Sequence, residues 1–568
     1  MTTTPMRDQA AAAGRWRAVR RAMMLATMAG LSTAGRAQAP GTVAYDIQIT
    51  AGRGGFTGAV DIDDMFGYAV TSIGDLDRNG VSDIVVGALG DDDGPPGGAL
   101  WVLFLDTDSS VASFQKISAT AGGFGTPPGA AGLGAAIACL GDLDGDGVVD
   151  LAAGMPYSSV GSDAGGAVWI LFLKPDGTVK SLQPIGPGVG GFHGTLAYQD
   201  DFGAALSALG DIDGDGVMDL AVGASGDDGS GFDQGALWIL FLNRDGTVKS
   251  EQKIGENEGG FGGLLEFTDY FGCSVATLDD LDGDGVPELA VGEYSGPGGA
   301  SYTGVVWVLF LAADGTVKSE HQIGAPEVPD LVNGDLFGYA VSTMGDLNGD
   351  GRRELAVGAP WDGFSNSGCV RILFLDESGQ VTGVQKISQF EGGFGGTLSG
   401  FANFGWSLAY PGDLDGDGTA DLVVGAPGEP SLIEIEGDAW LLFLVHGPWT
   451  WLGHALAGTF GTPSLVGAGS PLAGESVTLD LTHAPPSSAT TLVIGTSALF
   501  APFKGGVLVP LPTALVPAVT DAGGAISLSA TWPAGLPPGL TIYLQYWSFD
   551  VAAPHGFAAS NAVSVTTP

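Results

Sequence analysis

The chain is predicted to be all-β: a six-bladed β-propeller closed by an N-terminal strand, with a small β-sandwich-like domain after it. Three observations predict this. A short acidic loop is written six times, its starts 67, 69, 69, 66 and 67 residues apart. Each copy lies in a unit holding four strand-like runs, the content of one propeller blade. Apolar residues nowhere recur at helical spacing over a useful length.

Residues 1–39 read as a signal peptide. Arg7, Arg15, Arg17, Arg20 and Arg21 precede an apolar stretch, Ala22 to Leu31, and small residues lead to Ala37-Gln38-Ala39. The stretch is too short to span a bilayer. A twin-arginine reading of Arg20-Arg21 fits its flanks poorly. Export would place the chain where calcium is abundant.

The propeller is expected over 43–446. In the first unit the runs are Phe66 to Ile73, Asp83 to Ala88, Ala99 to Leu105 and Val111 to Ile117, separated by Gly, Asp and Pro clusters. The last unit lacks a fourth run, and an orphan one, Val43 to Ile49, stands at the other end of the array. Pairing the two would complete the last blade and remove two exposed sheet edges. The 403 residues from 43 to 445 hold six units of this length with none left over.

Each loop offers oxygen ligands at positions 1, 3, 5 and 9 and a carbonyl at position 7. These are Asp75, Asp77, Asn79, Val81 and Asp83; Asp142, Asp144, Asp146, Val148 and Asp150; Asp211, Asp213, Asp215, Val217 and Asp219. The last three sets are Asp280, Asp282, Asp284, Val286 and Glu288; Asp346, Asn348, Asp350, Arg352 and Glu354; Asp413, Asp415, Asp417, Thr419 and Asp421. Ca²⁺ takes about 6–8 oxygens, so up to six ions are expected, each clamping a hairpin whose bare carboxylates repel. An EF-hand would need Glu at position 12 and flanking helices, but Val86 and Ala153 stand there within strand-like runs. Loop one, with Arg78 and Asn79, should bind more weakly. The Glu that closes loops four and five reaches one methylene further, which the strand start can absorb.

Asp and Glu number 64 against 20 Lys and Arg, a formal charge of −44, while 45% of residues are hydrophobic. That apolar content excludes an acidic disordered tail. The charge should repel nucleic acid and anionic lipid. The three cysteines, Cys139, Cys273 and Cys369, form no C-x-x-C and read as small hydrophobes rather than a disulfide framework. Trp101, Trp169, Trp238, Trp307 and Trp440 share one position of the third run, with Arg371 the exception. Inside apolar strands they read as inter-blade packing rather than a sugar-stacking ring.

The Phe-Gly opening, the Asp-rich loop and the segments Gly358-Ala359-Pro360 and Gly425-Ala426-Pro427 resemble FG-GAP repeats, the units of integrin α-subunit propellers. The resemblance covers about 400 residues and implies an extracellular adhesion or ligand-binding head. That family's head has seven blades, only some with calcium; this chain shows six units, all with loops. Repeat two also departs, with Gly132-Leu133-Gly134 where Phe-Gly is expected.

Residues 463–568 alternate in runs such as Ser476 to Leu481, Thr491 to Ile494, Ala525 to Ala530 and Thr541 to Tyr546, and read as a second all-β domain. The six histidines are scattered, and no Gly-x-Ser-x-Gly, His-Glu-x-x-His or phosphate-cradling loop is present. The favoured function is recognition of an extracellular protein or glycan, with no nucleic-acid partner and no membrane insertion after signal cleavage. A polysaccharide-acting enzyme and a structural matrix component are the alternatives.

Overall fold

The structure is a computed structural model. It describes residues 40–568 except for scattered single and paired positions and the stretches 297–301, 429–436 and 446–448. Residues 1–39, expected from the sequence to be a signal peptide, lie outside the described residues. Among those described, the regular structure is strand only, and no helix is long and apolar enough to cross a membrane. The chain divides into two compact units, one of Gly41–Leu347 and Arg352–Val445, the other of His446–Pro568 together with Asn348–Gly351.

The first unit contains six four-stranded antiparallel sheets, one per repeat. In repeat one, Phe66–Gly74, Asp83–Ala88, Ala99–Leu105 and Val111–Ile117 pair in chain order. The sheet of repeat six is Ser407–Ala409, Leu422–Ala426 and Asp438–Leu444, and its fourth member is Val43–Ile49, from the other end of the array. The middle strands are buried along their whole length, which is why they read as unbroken apolar runs. Neighbouring repeats share their cores. Trp101 of repeat one packs with Val423, Leu441 and Phe443 of repeat six, and Leu100 and Val102 pack with Trp169 of repeat two.

The glycines of the motif have a steric cause at the seams between sheets. A Cβ on Gly425, in the second strand of repeat six, would lie 2.0 Å from the carbonyl oxygen of Gly67 in repeat one. Gly154 meets Gly203 O at 2.0 Å and Gly358 meets Gly405 O at 1.9 Å in the same way. The Phe-Gly glycine of one repeat therefore docks against the Gly-Ala glycine of the one before. Phe66 also bridges Gly437, as Phe202 bridges Gly166 and Phe404 bridges Gly368. Repeats six and one thus meet by the contacts that join other neighbours. Gly425→Ala should destabilise the unit by about 2 kcal/mol or more through overpacking against backbone, measured by urea unfolding.

The tryptophans are packed as their strands predict. Phe56, Phe192, Phe261 and Phe394, from the Gly-Gly-Phe segments before each first strand, meet Trp101, Trp238, Trp307 and Trp440 at centroid distances of 5.2, 5.0, 5.1 and 5.0 Å. In repeat two, Leu133 is fully buried in the seat that Phe occupies elsewhere, and Gly134 makes the seam to Gly87. All three cysteines are free thiols; Cys369 is buried, while Cys139 and Cys273 are half-buried.

The second unit has a five-stranded sheet with Ala489–Gly495, Thr541–Phe549 and Phe557–Thr566 among its members. A three-stranded sheet, Ser464–Gly469, Ser476–Thr482 and Ile526–Thr531, accompanies it. Leu465 and Leu481 of the small sheet pack with Leu492, Tyr546 and Val563 of the large one, as in a sandwich.

Candidate functional site

The acidic loops fold around their own carboxylates. The side chain at position 1 accepts the amide of the glycine at position 6: Asp75 from Gly80 at 2.8 Å, Asp142 from Gly147 at 2.8 Å, Asp211 from Gly216 at 2.7 Å, Asp280 from Gly285 at 2.8 Å and Asp413 from Gly418 at 2.8 Å. One oxygen of position 5 accepts the amide of position 7, as Asp215 does from Val217 at 2.9 Å and Asn79 from Val81 at 2.8 Å. Such side-chain turns hold a tight loop without a partner strand. Arg78 stands at φ 65°, where loops two, three, four and six place Gly145, Gly214, Gly283 and Gly416. A non-glycine in that region costs about 1 kcal/mol, a further burden on loop one.

The closing residue ties three segments together. Asp219 Oδ2 accepts Ile212 N at 3.1 Å and its Oδ1 accepts Leu242 N, at the end of the third strand, at 3.2 Å. Asp83, Asp150 and Asp421 repeat both bonds. Burial pushes Asp83, Asp150 and Asp219 up to about 6, with neighbouring loop aspartates adding to the rise. The same cause raises Glu288 and Asp421 to about 7. The strands after Glu288 and Glu354 start at Leu289 and Leu355, as the strand after Asp421 starts at Leu422, so the later start does not depend on the longer side chain. Glu354 accepts Leu347 N at 2.6 Å.

Loop four brings its four carboxylates together: one oxygen each from Asp280, Asp282, Asp284 and Glu288 lies within 4.8 Å of the others. The sets Asp75, Asp77 and Asp83; Asp142, Asp144 and Asp146; Asp211, Asp213 and Asp219; and Asp346, Asp350 and Glu354 converge likewise. Asp150 and Asp215 are not in these sets, although Asp150 makes the same pair of amide bonds as Asp83 and Asp219, and Asp215 the same bonds to position 7 and a lysine as Asp146. Val81, Val148, Val217, Val286, Arg352 and Thr419 would contribute their backbone carbonyls. These donors fit a hard cation, because every one is oxygen and none is sulfur or imidazole. Glu288 Oε1 supports the fit: it is buried and has no hydrogen-bond partner, a state that an adjacent cation relieves.

Two groups of contacts escaped the sequence reading. Lys180, Lys249 and Lys318 reach the loop carboxylates of repeats two, three and four, and Tyr45 Oη donates to Asp415 Oδ2 at 2.9 Å. A thrice-written Gly-Thr-Val-Lys-Ser was the available signal. The other group lies at the far end of the repeats. All six first strands line one cavity of about 310 Å³, at the end away from the acidic loops. Tyr68, Tyr339 and Trp406, each directly after a Phe-Gly glycine, border it with Tyr157 and Tyr294. Tyr339 and Trp406 are 4.4 Å apart between centroids, and Tyr68 lies 5.4 Å from Trp406. Asp201 adds a carboxylate, pushed up to about 6 by burial and by Asp233 and Asp200 nearby. The surrounding loops expose Tyr198, Phe232, Phe267, Trp361 and Phe390.

Residues 134–171, 202–240, 271–309, 337–382 and 404–440 match the FG-GAP repeat family. This is an FG-GAP repeat protein. Its first repeat is outside the matched segments, yet it forms the same four-stranded sheet as the FG-GAP repeats beside it. The FG-GAP chain is 30% identical over 225 residues to integrin alpha-PS2 of Drosophila melanogaster, covering 38% of this chain and 14% of that protein. It is 36% identical over 165 residues to integrin alpha-PS5 of Drosophila melanogaster, 28% of this chain and 15% of that one. To integrin alpha-IIb of Homo sapiens it is 31% identical over 245 residues, 41% of this chain and 20% of that one. The FG-GAP chain therefore spans about a fifth or less of the length of these curated relatives.

Proposed function

We propose that this FG-GAP protein is an exported or cell-surface propeller, stabilised by calcium on one rim, that recognises an extracellular protein or glycan on the other. One observation carries the reading. The carboxylate loops occupy one end of the repeats, while the aromatic-bordered cavity lies at the opposite end, with Tyr198, Phe232, Phe267, Trp361 and Phe390 exposed on the connections there. Aromatic faces with a few polar groups suit sugar rings and protein hot spots alike. The likeness to integrin α subunits supports an extracellular recognition role. Residues 1–39 would direct export, 43–446 would form the propeller and 463–568 the accompanying domain.

Calcium would be held by the side chains at positions 1, 3, 5 and 9 of the loops together with the carbonyls at position 7. Its contribution is charge: a divalent ion offsets repulsion among three or four carboxylates and leaves the hairpin closed. The side chains themselves position the loop, since their amide bonds already set its shape.

The test is a glycan array and a panel of extracellular matrix proteins probed with the full chain, with and without EDTA. The expected result is selective binding, weakened about tenfold or more by Trp406→Ala with Tyr339→Ala. Binding untouched by that pair would move the site off this rim. Release of product from a polysaccharide would instead favour the enzyme reading.

A further inference from the structure

Each fourth strand carries a bulge at its second residue. In repeat two Leu173 faces Val179 and Phe172 faces Ser181, so Lys180 is skipped; the same break skips Lys249, Lys318, Ala112, Thr382 and Ala44 in the other repeats. A bulge re-aims its extra residue, and here it aims it at the acidic loop. Lys180 Nζ lies 2.6 Å from Asp144 Oδ2 and also contacts Asp146 Oδ2. Lys249 is 2.5 Å from Asp213 and contacts Asp215; Lys318 is 2.8 Å from Asp282 and contacts Asp284.

The oxygens concerned are the ones an ion would need. The Oδ1 atoms of Asp144, Asp146, Asp213, Asp215, Asp282 and Asp284 already accept backbone amides within their loops. The Oδ2 atoms face outward, and the ammonium takes them in pairs. Lysines also follow charge. Loops two, three and four have four carboxylates and a lysine at the bulge. Loops one and five have three carboxylates, because Asn79 and Asn348 replace aspartates, and their bulges carry Ala112 and Thr382. Loop six departs from the pattern, with four carboxylates and Ala44.

We propose that Lys180, Lys249 and Lys318 are resident counter-cations that take the ion's place in loops two to four and must swing away for calcium to enter. Their side chains are about one-third exposed, so the ammonium can leave for solvent. The six loops then form two classes. Guarded loops keep their shape without calcium and fill at higher concentration; loop six, with full acidic charge and no ammonium from its bulge, depends most on the ion. The inference rests on the calcium reading above.

The experiment is calorimetric calcium titration of the full chain, wild type against Lys180→Met/Lys249→Met/Lys318→Met, with melting curves in EDTA and in calcium. The expected result is that up to three sites tighten about tenfold in the variant. The EDTA melt should fall by several degrees more than that of wild type, while the calcium-loaded melts coincide. Superimposable isotherms and EDTA melts, with calcium still bound, would overturn the lysine role and leave the calcium reading standing. Absence of calcium binding in both proteins would overturn both. Should the triple variant fail to fold, Lys249→Met alone answers the question through one shifted site or none.

Discussion

Chelating divalent ions should lower the melting temperature of the propeller by on the order of 10 °C at pH 8, and by less at pH 5. A ligand that binds only the folded state stabilises by ~2.7 kcal/mol per site at a hundredfold excess over its Kd, and several sites contribute. The pH dependence follows from the closing carboxylates. In the fold without an ion, Asp83, Asp150 and Asp219 titrate at about 6, and Glu288 and Asp421 at about 7, chiefly because they are buried. Unfolded, they return to about 4. A folded value above the unfolded one means that protonation favours the fold, a contribution complete below about 4 and lost as pH rises through 6–7. The calcium-free protein should therefore gain stability as pH falls from 8 to 5. The calcium-loaded protein needs these groups ionised and should lose stability over the same range. Melting temperatures from pH 5 to 8, with calcium and with EDTA, check this; parallel slopes would count against the loops as calcium sites.

Asp362→Ala should cost about 3–5 kcal/mol in urea unfolding, because it strands a buried charge. Arg371 is 1% exposed and its Nη2 lies 2.6 Å from Asp362 Oδ2, while Lys386 Nζ lies 2.9 Å from Oδ1. Burial would raise the Asp362 carboxyl, but Lys386 and Arg371 outweigh it and hold it below the usual range. This pair's contribution is accordingly present above about pH 4 and lost as pH falls, opposite in sign to that of the loop carboxylates. Arg371→Trp should cost only about 1 kcal/mol or less. It recreates repeats one and three, where Trp101 and Trp238 accompany the pairs Lys116–Asp91 at 2.5 Å and Lys253–Asp227 at 2.9 Å. Combining the two substitutions should recover most of the loss, since the stranded guanidinium is gone. Additive losses would show that Arg371 and Asp362 act independently.

The outlier at Arg371 illustrates where sequence reading stopped. It stood out from five tryptophans, but its partner Asp362 lies in a loop before its strand with no motif to mark it. The lysines were harder still. Fourth-strand residues alternate faces, and only the bulge turns Lys180, Lys249 and Lys318 toward a loop 34–36 residues earlier in the chain. Three members of the cavity's aromatic border, Tyr68, Tyr339 and Trp406, were written directly after a Phe-Gly, yet the border forms only when strands from six repeats converge.

Strand identity and the six-fold count were determined by the sequence alone, because they depend on the pattern within one repeat and on how often it recurs. Val43–Ile49 and Asp83–Ala88 fell where turn residues and apolar runs placed them. The pairing of Val43–Ile49 with Asp438–Leu444 was expected from the counting of units and is seen in the sheet. What only the tertiary structure decided are the contacts between repeats: the Gly425–Gly67 seam, the aim of the bulge lysines and the separation of acidic from aromatic rim. Those depend on how twisted sheets stack face to face, and repeat spacing carries no record of that geometry.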